Sequence, residues 1–367
     1  MIAGAARQAA RQNDDARAEE GEASSGDVVD IISKRVAQTL EEKVARIQEV
    51  TRRSKMLAMN ASIESARAGM HGKGFGVIAS EMTAISRSVE TLAQSLRSEL
   101  TSQIDDLREK SSASVAAAAE KRLVDLSLNA VELIDRNLYE RSCDVRWWAT
   151  DAAVVDCAAS PSSEARVYAS QRLGVILNAY TVYLDLWLCD LSGQVIANGR
   201  PNRYQVEGLN VSGEPWFEGA LRSASGDDYV CADIAARKGL NGAPVATYAA
   251  AVRRGGETRG KPIGVLGIHF DWAPQASAIV RGLRLSPEEW AHTRAMLLDK
   301  NGLVLASSDG QGELSETFDL RHEGRAAGAY RDARGANVGF SLTPGYETYQ
   351  GMGWYGCLVS RAGEDES

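Results

Sequence analysis

The residues best suited to specific chemistry lie in one short stretch, Lys55–Phe75, which reads KMLAMNASIESARAGMHGKGF. It begins with the apolar spacing of a helix, meets small residues at Ala66–Gly69 and then reads Gly72-Lys73-Gly74, after which helical spacing resumes at Val77. A helix that ends at glycines and restarts with the same period is a helical hairpin. The small and polar residues around the bend suit contact with another protein better than burial in a core.

The sequence contains no comparable set of residues for enzyme catalysis. The four histidines are scattered, and His269 has no partner at metal-ligand spacing. Lys73, between Gly72 and Gly74, resembles a phosphate-binding loop only superficially, since no predicted strand precedes it. We therefore expect no enzymatic activity, no cofactor and no metal site.

Apolar residues on both sides of the stretch recur every three or four positions, which is typical of a coiled coil. The first seam runs over 29–68 and the second over 78–107, and Gly69, Gly72 and Gly74 mark the bend between them. This predicts an antiparallel helical hairpin over 28–110 with its tip near 66–74. Because such a hairpin buries little surface alone, we expect a second copy to complete a four-helix bundle.

The two segments around the bend, Asn60–Gly69 and Gly72–Met82, resemble the signalling tip of methyl-accepting chemotaxis proteins without a gap in either segment. The resemblance implies binding to the chemotaxis histidine kinase CheA and the coupling adaptor CheW, and self-association as a dimer and a trimer of dimers. By position, it implies these contact residues: Met56, Met59, Asn60, Ile63, Glu64, Arg67, Val77 and Ile78. The sequence departs from the family pattern in three places: Arg52 replaces an aromatic residue, Met70 replaces an acidic one, and Arg53-Ser54-Lys55 makes the approach to the tip more basic.

The same resemblance makes Glu19 and Glu20 candidate methylation sites, since they form an acidic pair flanked by small residues. Asp15 and Gly21 do not fit a methylated helix well. The simpler interpretation, which we favour, is a flexible acidic terminus over 1–27.

Composition limits the classes of partner and compartment. The net charge of −8 argues against nucleic acid as a partner. The five cysteines are odd in number and widely spaced, which favours free thiols in a reducing compartment. Because no apolar run reaches the length of a membrane span, we expect no direct span and a cytoplasmic protein, at membrane-associated receptor arrays or beside a membrane-bound relative.

The carboxy-terminal part predicts a different architecture. Connecting and stalk helices are expected over 111–180, with a break near Pro161. Strand signals follow, and an Asp-x-x-Gly turn at Asp190–Gly193 recurs at Asp299–Gly302. Two such units, expected over 181–285 and 286–360, resemble a double Cache sensor domain, built of PAS-like antiparallel sheets that bind small metabolites. The predicted fold class is therefore α+β.

The resemblance also suggests a ligand pocket in the first unit. Candidate lining residues are Trp216, Phe217, Tyr229, His269 and Asp271. Glu214 and His269 stand where amino-acid-binding members carry Arg and Asp, so a small or cationic ligand is expected rather than an amino acid. Core packing is the preferred interpretation of Trp187, Trp272 and Trp290.

Two functions from different classes fit these patterns. The first is a soluble chemoreceptor-type transducer with a carboxy-terminal sensor and an amino-terminal output hairpin. The second is a scaffold that packs into receptor arrays and has lost its ligand. A weaker third is a plain coiled-coil dimeriser for a binding domain.

Overall fold

The structure is a computed structural model that describes residues 25–361. The chain divides into two compact units, Met1–Ala119 and Glu120–Ser367. Glu19 and Glu20, the candidate methylation sites, and most of the predicted acidic terminus lie outside the described residues. The first helix within the described residues begins at Ser25.

The first unit contains a helical hairpin. Helix α1 spans Ser25–Arg67, a 3-10 turn spans Gly69–Gly72, and helix α2 begins at Lys73 and ends at Trp148. Three ion pairs join the arms: Arg108 with Asp30 (3.3 Å), Arg97 with Glu41 (3.2 Å) and Lys55 with Glu90 (3.8 Å). Because the partners run in opposite directions along the two helices, the arms are antiparallel, as predicted.

The seam between the arms is narrower than the sequence pattern indicated. Small and polar residues as well as apolar ones are buried along it: Ser33, Leu40, Val44, Thr51 and Ala58 on α1, and Ala79, Ser86, Ala93 and Ile104 on α2. Other apolar residues expected in this seam are exposed: Val36, Ile47, Val50, Leu57, Ile85, Leu92, Leu96 and Leu107. Two helices can cover only one stripe of each other, so within residues 25–361 the second apolar stripe stays exposed.

Helix α2 differs from the prediction in length. The sequence suggested that the hairpin ends at residue 110 and that connecting helices begin at 111, but α2 is continuous from Lys73 to Trp148. The stretch 111–119 contains neither Gly nor Pro and is rich in Ala, the strongest helix former, so nothing interrupts the helix there.

Two short helices follow α2 in the second unit. Helix α3 spans Ala152–Ala159 and helix α4 spans Ser163–Ala179. Asp151 caps α3 by accepting a hydrogen bond from the backbone N–H of Ala153, and Ser162 caps α4 in the same way. The break near Pro161 is confirmed, and the structure adds a second break at the end of α2.

Two five-stranded antiparallel sheets complete this unit. The first contains β1 (Tyr183–Cys189), β2 (Val195–Asn198), β3 (Val230–Arg237), β4 (Ala243–Arg253) and β5 (Pro262–Asp271). Helices α5 (Pro215–Leu221), α6 (Trp272–Arg281) and α7 (Pro287–His292) lie before β3, after β5 and before the second sheet. The second sheet contains β6 (Thr293–Leu298), β7 (Val304–Ser307), β8 (Ala327–Arg331), β9 (Asn337–Leu342) and β10 (Tyr355–Ser360).

The two sheets repeat one topology. Their strand orders are β2-β1-β5-β4-β3 and β7-β6-β10-β9-β8, which are identical after a shift of five strands. The predicted Asp-x-x-Gly turns are equivalent: Asp190 and Asp299 each accept two backbone hydrogen bonds across a turn. Gly193 and Gly302 have φ values of +82° and +84°, which favour glycine.

The main core of this unit lies between helix α2 and the sheets. Val131, Ile134 and Leu138 of α2 are fully buried there. Trp272 also belongs to this core and donates its indole N–H to the carbonyl of Leu305, 2.7 Å away, on β7. Within residues 25–361, no helix is long and apolar enough to cross a membrane.

Candidate functional sites

The hairpin tip is closed by a tight backbone turn. The Ser65 hydroxyl donates to the carbonyl of Gly72 (2.6 Å), and Gly69 adopts a φ of +58°. A Cβ at Gly72 would lie 2.3 Å from the Ser65 carbonyl oxygen, and one at Gly76 would lie 2.9 Å from Ser65 Oγ. Gly69 and Gly72 therefore serve the turn as expected. Gly74 has open space around it. The close approach of α2 to the Ser65 side chain is made instead by Gly76, which the sequence interpretation missed.

The tip contact residues expected from the sequence are all solvent-exposed. Met56, Met59, Val77 and Ile78 each expose at least 60% of their surface, although large apolar side chains are usually buried. Asn60 and Ile63 are exposed beside them on α1. An apolar surface of this kind at the end of a hairpin is typical of a protein interaction site.

Glu64 and Arg67 pair with each other on the surface of α1. Arg67 donates to Glu64 over 2.9 Å, and both side chains are largely exposed. An exposed pair of this kind contributes little to stability. Both side chains can therefore leave each other and bind groups on another protein, at little cost in stability.

In the second unit, alternate residues of β5 face the two sides of the first sheet. Leu266, Ile268 and Phe270 belong to the core shared with α2, whereas Val265 packs into a second cluster on the other side. His269 follows the register of Val265, and its ring contacts Trp187 and Trp216 of that second cluster. We call the side that carries this cluster the sensor face, and it contains four of the five candidate pocket residues.

The aromatic residues of the sensor face pack closely on each other. The His269 ring centroid lies 4.0 Å from that of Trp187 and 5.9 Å from that of Trp216, and Trp216 contacts Phe217 edge to face. A Cβ at Gly267 would lie 2.9 Å from the Trp216 ring. The glycine thus admits the indole against the sheet.

Three buried polar nitrogens on this face have no hydrogen-bond partner in the described part of the chain. They are Trp216 Nε1, His269 Nε2 and Arg237 Nε. The other His269 nitrogen, Nδ1, is bonded to the Thr247 hydroxyl at 3.1 Å. Burial and the nearby Arg237 charge lower the pKa of His269 to about 3, so the ring is neutral at physiological pH. Buried polar atoms without partners are uncommon and indicate sites that an additional molecule can satisfy.

Glu214 is neutralised by a residue that the sequence interpretation did not single out. Arg237, on β3, forms an ion pair with the Glu214 carboxylate through a very short hydrogen bond. The expected repulsion between Glu214 and an anionic ligand is therefore largely cancelled. Burial raises the pKa of Asp271, and the charge of Arg203 partly opposes that rise. Glu214 lies just before α5 and Arg237 lies at the end of β3, 23 positions later. The two residues meet only in the folded chain, so no local sequence signal could have found the pair.

Tyr229 lies away from the other candidate pocket residues. Its ring stacks on Tyr248, with centroids 6.2 Å apart, and Tyr248 belongs to the core shared with α2. The structure therefore places Tyr229 on the opposite side of the sheet from Trp216. Trp187 and Trp272 are buried in cores, as expected, and Trp290 packs partly buried against the core.

Comparison with known proteins identifies the hairpin segment. Residues 4–165 match the family described as the methyl-accepting chemotaxis protein (MCP) signalling domain. This segment therefore resembles a chemoreceptor signalling domain. The chain is 39% identical over 82 residues to the Frizzy aggregation protein FrzCD of Myxococcus xanthus, covering 22% of this chain and 18% of that protein. It is 29% identical over 99 residues to the methyl-accepting chemotaxis protein McpP of Pseudomonas putida, covering 25% and 18%. The chain thus matches less than a fifth of the length of either relative.

The second unit has the fold of a chemoreceptor sensory domain. It resembles the sensory domain of the Campylobacter jejuni chemoreceptor Tlp3 with a TM-score of 0.51 and 14% identity, covering 68% of this chain and 96% of that one. The prediction of two Cache-like sheets that follow the hairpin in the chain is therefore confirmed. At this identity the likeness shows the fold alone.

Proposed function

We propose that this chain is a chemoreceptor-type transducer. In this proposal a small molecule binds the sensor face, and the hairpin tip modulates CheA together with CheW. The observation that carries the proposal is that one chain joins a chemoreceptor signalling domain to a Cache-like sensory fold. The proposal assigns no catalytic step to the chain itself.

The tip supports the output half of the proposal. Met56, Met59 and Ile63 on α1 and Val77 and Ile78 on α2 form an exposed apolar surface beside the Glu64–Arg67 pair. Apolar area supplies binding energy, and the charged pair can supply orientation. We propose that CheA, CheW and neighbouring hairpins use this surface.

The sensor face supports the input half. Trp216 Nε1 and Arg237 Nε are donors, and neutral His269 can donate from Nε2 when Nδ1 accepts from Thr247. Three unsatisfied donors on one face of the sheet favour a ligand that carries oxygen acceptors, such as a carboxylate or carbonyl group. The neutralisation of Glu214 by Arg237 removes the electrostatic argument for a cation there.

Helix α2 supplies a route for the signal. Its residues 73–107 form the returning arm of the hairpin, and Val131, Ile134 and Leu138 of the same helix lie in the core behind the first sheet. We propose that ligand binding shifts this helix by a small sliding or rotation.

A reconstituted kinase assay tests the output half. We expect the full chain with CheW to change CheA autophosphorylation, and the double substitution Glu64→Ala, Arg67→Ala to abolish that change. The matched control is Glu49→Ala, Arg53→Ala, which removes another exposed ion pair from the same helix. Equal kinase effects of both double variants would refute a role for the tip pair.

A ligand screen tests the input half. We expect carboxylate-containing metabolites to raise the melting temperature of the full chain. We expect Trp216→Phe, which keeps an aromatic ring but removes the indole N–H, to weaken that effect. A ligand whose binding is unaffected by Trp216→Phe and Arg237→Met would show that the sensor face is not its site.

A second candidate function rests on the packing of the sensor face. The Trp216 ring lies directly against Gly267, and Trp187 contacts His269, so side chains already occupy this region. This observation favours a scaffold that joins receptor arrays without sensing. Array localisation of a tagged chain, without any stabilising metabolite, would favour the scaffold.

A further inference from the structure

A cavity of about 340 Å³ opens on the side of the first sheet opposite the sensor face, next to the loop that joins β9 to β10. We call it the junction cavity. Its lining residues come from the start of β3 and from that loop: Asp227, Asp228, Tyr229, Cys231, Tyr349, Gln350 and Gly351. None of these except Tyr229 belongs to the candidate pocket already discussed, and Tyr229 had no role on the sensor face.

The loop that lines the cavity is attached to helix α2 and to the first sheet. The backbone N–H of Gly345 donates to Asp135 Oδ2 on α2 (2.7 Å), and Tyr346 packs edge to face on Tyr139. At its other end, the Tyr349 hydroxyl is bonded to the Tyr248 hydroxyl of β4 (3.2 Å). These contacts hold the loop at the mouth of the cavity.

The charged residues that line the cavity are both acidic. Asp227 and Asp228 both line it, and Asp228 Oδ2 accepts from the backbone N–H of Ser225. The nearby Arg146 guanidinium lies over the Tyr229 ring and donates to the backbone carbonyl of Asp227, so it is already engaged.

A third carboxylate lies behind the lining. Asp135 exposes only 1% of its surface, and its Oδ1 has no hydrogen-bond partner in the described part of the chain. That oxygen is 3.6 Å from the position that a Cβ at Gly351 would take. A buried carboxylate oxygen without a partner is costly, and a nearby cation would lower that cost.

We propose that the junction cavity is a second ligand site, which binds a small organic cation carrying one or two primary ammonium groups. An ammonium group offers three donors, which suit the Asp227 and Asp228 carboxylates and the acceptors of Tyr349 and Gln350. Among residues 25–361, no three His, Cys, Asp or Glu side chains converge as metal ligands, so an organic cation fits better than a metal ion.

The proposal includes a dependence on pH through Asp135. Burial raises the pKa of Asp135 to about 6, so its negative charge is lost as the pH falls through that value. Tyr349 from the loop interacts electrostatically with Asp135, and Arg136 and Tyr139 lie beside it in sequence on α2. Tyr349 is buried, with a pKa raised by burial, whereas Arg136 lies over the Tyr346 ring. Neither Tyr349 nor Tyr139 changes charge between pH 7.5 and 5.5, because the pKa of each lies above the ordinary tyrosine value.

Calorimetric titration of the full chain tests the proposal with matched pairs of probes. The amines are n-butylamine and 1,4-diaminobutane, and their neutral counterparts are n-butanol and 1,4-butanediol. We expect at least one amine to bind and both alcohols to fail. Absence of binding by both amines, or equal binding of an alcohol, would overturn the proposal.

Three variants locate the site. Asp228→Asn should weaken amine binding at least tenfold, and Asp135→Asn should remove the several-fold loss of affinity between pH 7.5 and 5.5. Asp156→Asn, an exposed carboxylate on α3, is the matched control and should have no effect. Far-ultraviolet circular dichroism confirms that each variant is folded.

A fourth variant separates the junction cavity from the sensor face. Loss of amine binding in Glu214→Gln, with Asp228→Asn and Asp135→Asn unaffected, would assign the amine to the sensor face and refute the junction cavity as its site. The function proposed for the sensor face does not depend on this result.

Discussion

Ser65 and Gly72 are in close contact at the hairpin tip through one hydrogen bond and one close backbone approach. The Ser65 hydroxyl donates to the Gly72 carbonyl at 2.6 Å, and the Gly72 Cα faces the Ser65 carbonyl so closely that a Cβ would lie 2.3 Å from that oxygen. The glycine is therefore required by close approach of two backbone segments, and the conformation of the turn depends on it.

Gly72→Ala should disrupt the tip while leaving the sensor fold intact. The new Cβ must displace the Ser65 backbone, at a cost of roughly 1–3 kcal/mol in the free energy of unfolding of the hairpin. We expect loss of CheA modulation with unchanged ligand-induced stabilisation of the sensor, measured by kinase assay and by thermal shift.

Gly74→Ala is the matched control for that substitution. A Cβ at Gly74 meets nothing within 4 Å, and Gly74 lies inside helix α2. Alanine there should leave hairpin stability unchanged or raise it by up to about 1 kcal/mol. If Gly74→Ala impairs the kinase effect as strongly as Gly72→Ala, the steric explanation is wrong.

Asp135 should make the stability of the second unit depend on pH. Burial raises its pKa from 3.8 to about 6, so the folded state binds this proton more tightly than the unfolded chain does. The resulting stability is fully present below about pH 4 and is lost as the pH rises through 6. At 1.36 kcal/mol per pKa unit, the total change is up to about 3 kcal/mol. Urea unfolding of the wild type and Asp135→Asn between pH 4 and 7.5 measures it, and parallel curves would contradict the prediction.

The ion pair between Arg237 and Glu214 should be measurable by a double-mutant cycle. Arg237→Met leaves the Glu214 carboxylate without its partner, whereas Glu214→Gln leaves the Arg237 guanidinium without its own. Because the pair is only partly buried, we expect a coupling energy on the order of 1 kcal/mol. Additive single effects in thermal unfolding would show that the two side chains do not interact in solution.

The exposed stripe of the hairpin should mediate self-association. Leu92 and Leu96 on α2 expose 69% and 40% of their surfaces, and Val50 on α1 exposes 64%. If a second copy covers this stripe, Leu92→Lys should convert the dimer to a monomer in analytical ultracentrifugation. Glu99→Lys, an exposed charged residue on the same helix, should not. A monomeric wild type would refute dimerisation through this stripe.

Much of the architecture could be predicted because local patterns encode it. The three-to-four spacing of apolar residues with glycines at 69 and 72 determined a hairpin, and the tip motif determined which family it resembles. The paired Asp-x-x-Gly turns likewise determined two similar sheets. These features depend on residues close together in the chain, so no knowledge of long-range contacts was needed.

The seam and the sensor site were decided by tertiary structure. The sequence of a helix does not show which of its two apolar stripes faces the hairpin partner. In the structure, Leu40 is buried and Leu92 is exposed, although both follow the same apolar spacing. Similarly, Arg237 contacts Glu214, whereas Tyr229 lies on the opposite side of the sheet from Trp216. The reason is strand register, which is set by pairing across the sheet and determines the side on which each residue lies. The sequence alone determined which elements form. Packing between distant segments decided which side chains meet.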